Sequence, residues 1–189
     1  MPLSVISQPA ALPVTLVQLK QHLRIDHDTE DTFLLELASA ATQHVESEVG
    51  QNLIERTLRQ YLDALPANRE IRLQAWPVKH IETVIGYGVD GTPVTVDPGH
   101  YSLSRSEDPA MLAFSDAPGV ADFENGLEID FVSGFGSTGL DIPSNIIRAI
   151  LVLCAHWYEN RGVYSSGLGI EIVPEGLQTL LKPARRVKL

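Results

Sequence analysis

The sequence predicts an α+β protein, a small helical bundle with an antiparallel β subdomain inserted into it. Three observations carry that prediction. Apolar residues recur at helical spacing up to Gly50, short two-residue alternation takes over from Leu53 to about Val132, and helical periodicity returns at Pro143.

The elements follow in chain order. In TLVQLKQHLRI, Leu16, Leu19 and Leu23 share one stripe and Thr15 stands where a side-chain oxygen caps free backbone amides, which predicts a helix over 15–24. After DHDTED, the run TFLLELASAATQHVESEVG sets Leu34, Leu37, Ala41 and Val45 at the same spacing and reaches Gly50, a residue suited to the left-handed turn that ends a helix. This predicts a second helix over 30–49, with Asp28 as its N-cap and Glu30 and Asp31 in its first turn, where acids complement the helix dipole. The clusters PANR, DG, DPG, SEDP and ENG then punctuate runs rich in Val, Ile and Thr. HIETVIGYGVDGTPVTV reads as a hairpin around Asp90 and Gly91, and LEIDFV turns Leu127, Ile129 and Phe131 inward against Glu128 and Asp130. Such alternation belongs to an antiparallel sheet with one wet face. Pro143 opens a third helix over 143–161, apolar nearly all round and closed by Gly162, with Leu151, Cys154, Trp157 and Tyr158 as expected core residues. A short helix near PEGLQTLL and the basic end KPARRVKL complete the chain. The predicted division is 1–52 for the N-terminal helical part, 53–140 for the inserted β subdomain, 141–173 for the core helix and its loop, and 174–189 for the short helix and basic tail.

Charge and composition narrow the function classes. With 14 Lys and Arg against 24 Asp and Glu, the net charge of −10 disfavours a protein that grips phosphates over a broad surface. The one cysteine, Cys154, sits in an apolar helical run and reads as a buried, inert thiol. Neither a signal peptide nor a membrane-spanning run is read in the sequence, and the expectation is a protein made in the cytosol without a membrane partner.

The chemical motifs are weak. Gly86, Gly88 and Gly91, and again Gly134, Gly136 and Gly139, match G-x-G-x-x-G, but the first leads into a strand and the second is separated from its helix by LDIP. Both sets read as turn residues, leaving no cofactor expected. Asp26, Asp28, Glu30 and Asp31 resemble a calcium loop yet lack its glycine and its final glutamate, having Asp31 and Leu37 there. His22, His27, His44, His80, His100 and His156 show no metal-ligand spacing, and His44 with Glu48 reads as a surface pair on one helix face. His156, Glu159, Asn160 and Arg161 crowd the end of the third helix without a nucleophile, so no catalytic residue is assigned and an enzyme, hydrolytic or nucleotide-binding, is the less favoured class.

Taken together, LVQLKQHLRIDHDTEDTFLLELASAATQHVESEVG, FVSGFG and DIPSNIIRAILVLCAHWYENRG resemble the head-tail connector, or adaptor, proteins of long-tailed bacteriophages and gene transfer agents. The resemblance covers nearly the whole chain. It implies a virion protein at the head-tail junction, forming a ring, taken as dodecameric, beneath the portal. Such a ring would extend the channel for passing double-stranded DNA without sequence-specific binding, and would dock the next connector or tail protein. It also implies that the C-terminal segment reaches the portal, which nominates Lys182, Arg185, Arg186, Lys188 and Leu189 as portal-binding residues, with Leu180, Leu181 and Val187 as further apolar anchors. The alternative within the virion is a tail-completion module.

Overall fold

A computed structural model of the chain describes residues 2–106, 108–115, 123, 125–160 and 173–185. It falls into two compact units, one made of Met1–Ala10 and Glu55–Phe135 and the other of Ala11–Ile54 and Gly136–Leu189.

The first unit is built of β-strands: β1 (Leu3–Val5), β2 (Arg56–Leu62), β3 (Glu70–Arg72), β4 (Val78–Tyr87), β5 (Pro93–Thr95), β6 (Tyr101–Ser104), β7 (Met111–Phe114) and β8 (Leu127–Ser133). They form a five-stranded sheet in the order β1-β2-β8-β4-β5 and a three-stranded sheet in the order β3-β7-β6, with every neighbouring pair antiparallel. The alternation in LEIDFV is realised: Leu127, Ile129 and Phe131 are buried, while Glu128 and Asp130 sit on the other face. Leu58, Val84, Ile129 and Phe131 of the larger sheet share one core with Ile71, Leu112 and Phe114 of the smaller. Each such side chain contributes about 1.5–3 kcal/mol when fully buried. Gln60, fully buried on β2, ties the sheets together, its Nε2 donating to the Arg72 carbonyl (3.0 Å) and its Oε1 accepting from the Gln74 amide (2.9 Å). On the outer face Arg59 stands opposite Asp130 and makes a forked pair with it (2.6 and 2.7 Å), with Glu128 at 2.8 Å. The hairpin expected at Asp90-Gly91 joins β4 to β5, Gly91 taking φ +76°.

The N-terminus departs from the expected division. The sequence division puts residues 1–52 in the helical part, but Leu3–Val5 pairs with β2 (Leu3 opposite Gln60, Val5 opposite Leu58), so the first ten residues belong with the sheets. A strand of three residues is too short for its own periodicity to reveal it.

The second unit holds α1 (Leu16–Leu23), α2 (Asp31–Val49), α3 (Ser144–Glu159) and α4 (Glu175–Leu181). Thr15 caps α1 as expected, in a reciprocal capping box with Gln18. Gly50 ends α2 at φ 70°. Asp28, however, is not the α2 cap: Glu30 holds that position without a side-chain capping bond, and Asp28 pairs with Lys20 instead. The buried stripe of α2 (Leu34, Ala38, Ala41, Val45) packs on that of α3 (Ile146, Ala149, Ile150, Leu153, Cys154), and α4 packs on α3. Of the core residues expected on α3, Cys154 is fully buried, whereas Leu151, Trp157 and Tyr158 are half-buried because they flank the inward stripe. Gly162 lies outside the described residues.

Candidate functional site

The polar end of α3 is a fastening. The backbone N–H and Nδ2 of Asn160 both donate to the His156 carbonyl (3.1 and 2.8 Å), closing the helix. Trp157 meets the His44 ring edge-on, with centroids 6.0 Å apart, and Tyr158 lies 6.3 Å from Phe33 while its hydroxyl donates to Glu30. These contacts clamp α3 to α2 and its N-terminus. Glu159 is exposed, and Arg161 lies outside the described residues.

Packing accounts for three of the patterned glycines. A Cβ on Gly86 would come within 2.2 Å of the Phe123 ring, one on Gly136 within 2.2 Å of the Asp141 carboxyl carbon, and one on Gly139 within 1.9 Å of the Pro13 carbonyl oxygen. Asp141 in turn accepts from the backbone N–H (3.1 Å) and hydroxyl (3.0 Å) of Thr138, closing the turn before α3. It holds Leu140 93 % exposed, an apolar side chain displayed to solvent.

The acids between α1 and α2 are answered by one lysine. Lys20 pairs with Asp28 and with Asp31 (2.7 Å), and these carboxylates push its ammonium pKa up while Lys20 holds that of Asp28 down. Among the described residues, no group of three or more His, Cys, Asp or Glu is arranged to hold a metal ion. His22 is held below the usual histidine range by burial and by the charge of Arg148 beside it.

The nominated portal-binding residues divide. Lys182 is exposed. Arg185 is engaged within its own unit, its Nη2 donating to Glu48 and to the Gln178 side chain, and holding the Glu48 carboxyl below the usual range. One residue earlier, the Ala184 carbonyl accepts from Gln51 Nε2 (2.6 Å). Glu48 therefore serves this latch, and His44, its expected partner one helical turn earlier, adds a smaller contribution to the lowering of its carboxyl pKa. Leu181, expected as an outward anchor, is fully buried together with Leu177, because helix α4 turns both inward. Arg186, Val187, Lys188 and Leu189 lie outside the described residues. The latch left no mark in the sequence, since Glu48 and Arg185 stand 137 residues apart.

No helix among the described residues is long and apolar enough to cross a membrane. The family model of phage gp6-like head-tail connector proteins matches residues 13–84, which run from α1 through most of β4. No curated protein matches the chain. Among solved structures, a chain in the neck of an empty gene transfer agent particle, computed with C6 symmetry, superposes with a TM-score of 0.80 at 23% identity, covering 100% of this chain and 97% of that one. A chain of the native gene transfer agent virion gives 0.80 at 22% identity, and one from the native neck computed with C12 symmetry gives 0.76 at 23%, both with the same coverage. Over residues 13–84 the chain is similar to the phage gp6-like head-tail connector proteins, and over its full length it has the fold of those neck chains.

Proposed function

We propose that this chain is a structural subunit of a virion neck, a head-tail connector that assembles into a ring at the head-tail junction. The observation that supports this most is the coincidence of two independent likenesses: the connector-family match over 13–84 and full-length similarity to neck chains of gene transfer agent particles. The symmetry of those necks, C6 and C12, favours a closed ring, and a ring of one chain requires a head-to-tail contact between two different surfaces of each copy. Its role is mechanical rather than catalytic, consistent with a polar end of α3 consumed in helix packing. A net charge of −10 suits a channel wall that repels DNA phosphate and lets the polymer slide.

On this reading the portal protein binds one side of the ring and the next connector or tail protein the other. The C-terminal segment remains our candidate for portal contact, through Lys182, Arg185, Arg186, Lys188 and Leu189. Arg185 also donates to Glu48 and Gln178 within the helical unit. Co-sedimentation with purified portal tests the assignment. The connector binds portal, and replacing Lys182, Arg186 and Lys188 with Glu weakens that binding strongly, more so at low salt. A chain that ignores the portal yet binds tail proteins is instead a tail-completion module.

A further inference from the structure

Leu140 is the most exposed large apolar side chain among the described residues, at 93 %, and it stands on a turn whose backbone lies against Pro13. Val17, four residues beyond Pro13 in the first turn of α1, is 63 % exposed as well. The helical unit thus offers two exposed apolar side chains on segments that touch, with the exposed acid Asp141 directly after Leu140. Grouped apolar side chains with a polar rim point to an interaction surface, where a lone one does not.

The β unit holds a surface of the opposite character. An open groove of about 400 Å³ lies along β4 and β6, with Ile81, Tyr101 and Leu103 as its apolar lining and Lys79, Glu82 and Arg105 as its charged residues. Lys79 is paired with Glu55 (3.0 Å), and Glu82 accepts from the Thr57 hydroxyl (3.5 Å). Exposed Arg105 meets no carboxylate among the described residues; its Nη1 donates to the Lys79 carbonyl (3.1 Å), and its remaining N–H donors form a fork suited to a carboxylate.

We propose that the groove of one copy receives the Leu140 turn of the next, with Leu140 against Ile81, Tyr101 and Leu103 and Asp141 facing Arg105, as a head-to-tail contact of the ring. The inference rests on the connector reading. A closed ring of one chain joins two unlike surfaces of neighbouring copies, and an apolar knob and an apolar groove are such a pair on the same chain. Their charges are complementary. An acid stands beside the knob and an arginine that meets no carboxylate stands at the groove, in a chain whose net charge of −10 would otherwise drive copies apart. Burial of Leu140 supplies affinity, and the facing of Asp141 and Arg105 fixes the register.

The test places a photo-crosslinking amino acid at exposed His80, which lines the groove, in protein assembled into particles. The expected product has twice the mass of the chain and joins His80 to residues 137–141 of another copy. Adding Leu140→Ser should lower its yield per incorporated chain about tenfold without moving the thermal midpoint, and adding Arg105→Glu should lower it as much, while Arg105→Lys keeps most of it. A crosslink from His80 to a different polypeptide, to another segment of this chain or to nothing would overturn the proposal, as would a yield indifferent to Leu140→Ser or to Arg105→Glu. Incorporation of the otherwise unsubstituted chain into particles is measured separately. Its absence defeats the connector reading itself, whereas incorporation without the crosslink to 137–141 defeats only this contact.

Discussion

Gly139 has no room for a side chain, and the atom in the way is backbone, the Pro13 carbonyl oxygen at 1.9 Å from a built Cβ. Gly139→Ala should therefore lower stability by about 1–3 kcal/mol, since neither chain segment can yield cheaply; a urea titration of the variant checks this. Leu140→Ser next to it should cost almost nothing in stability, its side chain being 93 % exposed. Cys154 makes a second case. Burial pushes its thiol pKa from 9.0 up to about 12, so the folded state keeps a proton that the unfolded chain releases. The stabilisation is complete below the unfolded value and is lost as pH rises from about 9 towards the folded value. The wild type should lose more stability than Cys154→Ala between about pH 8 and about pH 10.5, and its thiol should react with a disulfide reagent only on unfolding. At this scale the sequence was partly legible. Thr15, Gly50 and Cys154 announce their roles because cap, turn and buried thiol are local chemistry; Asp28 misled because Lys20, eight residues back, outcompetes the helix end for it.

Among the elements, α4 and the turn after it lead into the segment proposed to contact the portal. The apolar faces of α1 to α3 and the alternation of β8 were readable because each declares its period within one run of chain. The pairing of β1 with β2 was not, since its partners lie more than fifty residues away, and neither was the latch of Arg185 on Glu48. That latch changes what truncation should do. Cutting after Arg185 should leave the helical unit as stable as the full chain, whereas cutting after Lys182 removes the Ala184 and Arg185 contacts and should lower its thermal midpoint slightly. A partly exposed ion pair and one hydrogen bond are together worth about 1–2 kcal/mol. The latch also carries a pH signature. With the Glu48 pKa held down by Arg185, its contribution is present above the ordinary glutamate range and is lost as pH falls through the lowered value. Glu48→Gln should flatten that acid limb in thermal melts recorded from neutral pH downward.

For the whole molecule, the fold class was legible and the assembly was not. The switch from helical to two-residue periodicity and back, at Leu53 and Pro143, identifies an α+β chain before any coordinates. Nothing in composition or spacing, however, speaks of a ring. That part is a proposal, resting on likeness to connector proteins over residues 13–84 and on a fold shared with the neck chains. In the proposed function, copies of this chain close into a ring on the portal. Light scattering on the purified protein, alone and mixed with purified portal, tests it most directly. The expected outcome is a complex whose mass exceeds that of the portal by the mass of one closed ring of this 20.7 kDa chain, formed in the mixture whether or not the chain is monomeric alone. Separate species at every concentration, with no mass added to the portal, would contradict it.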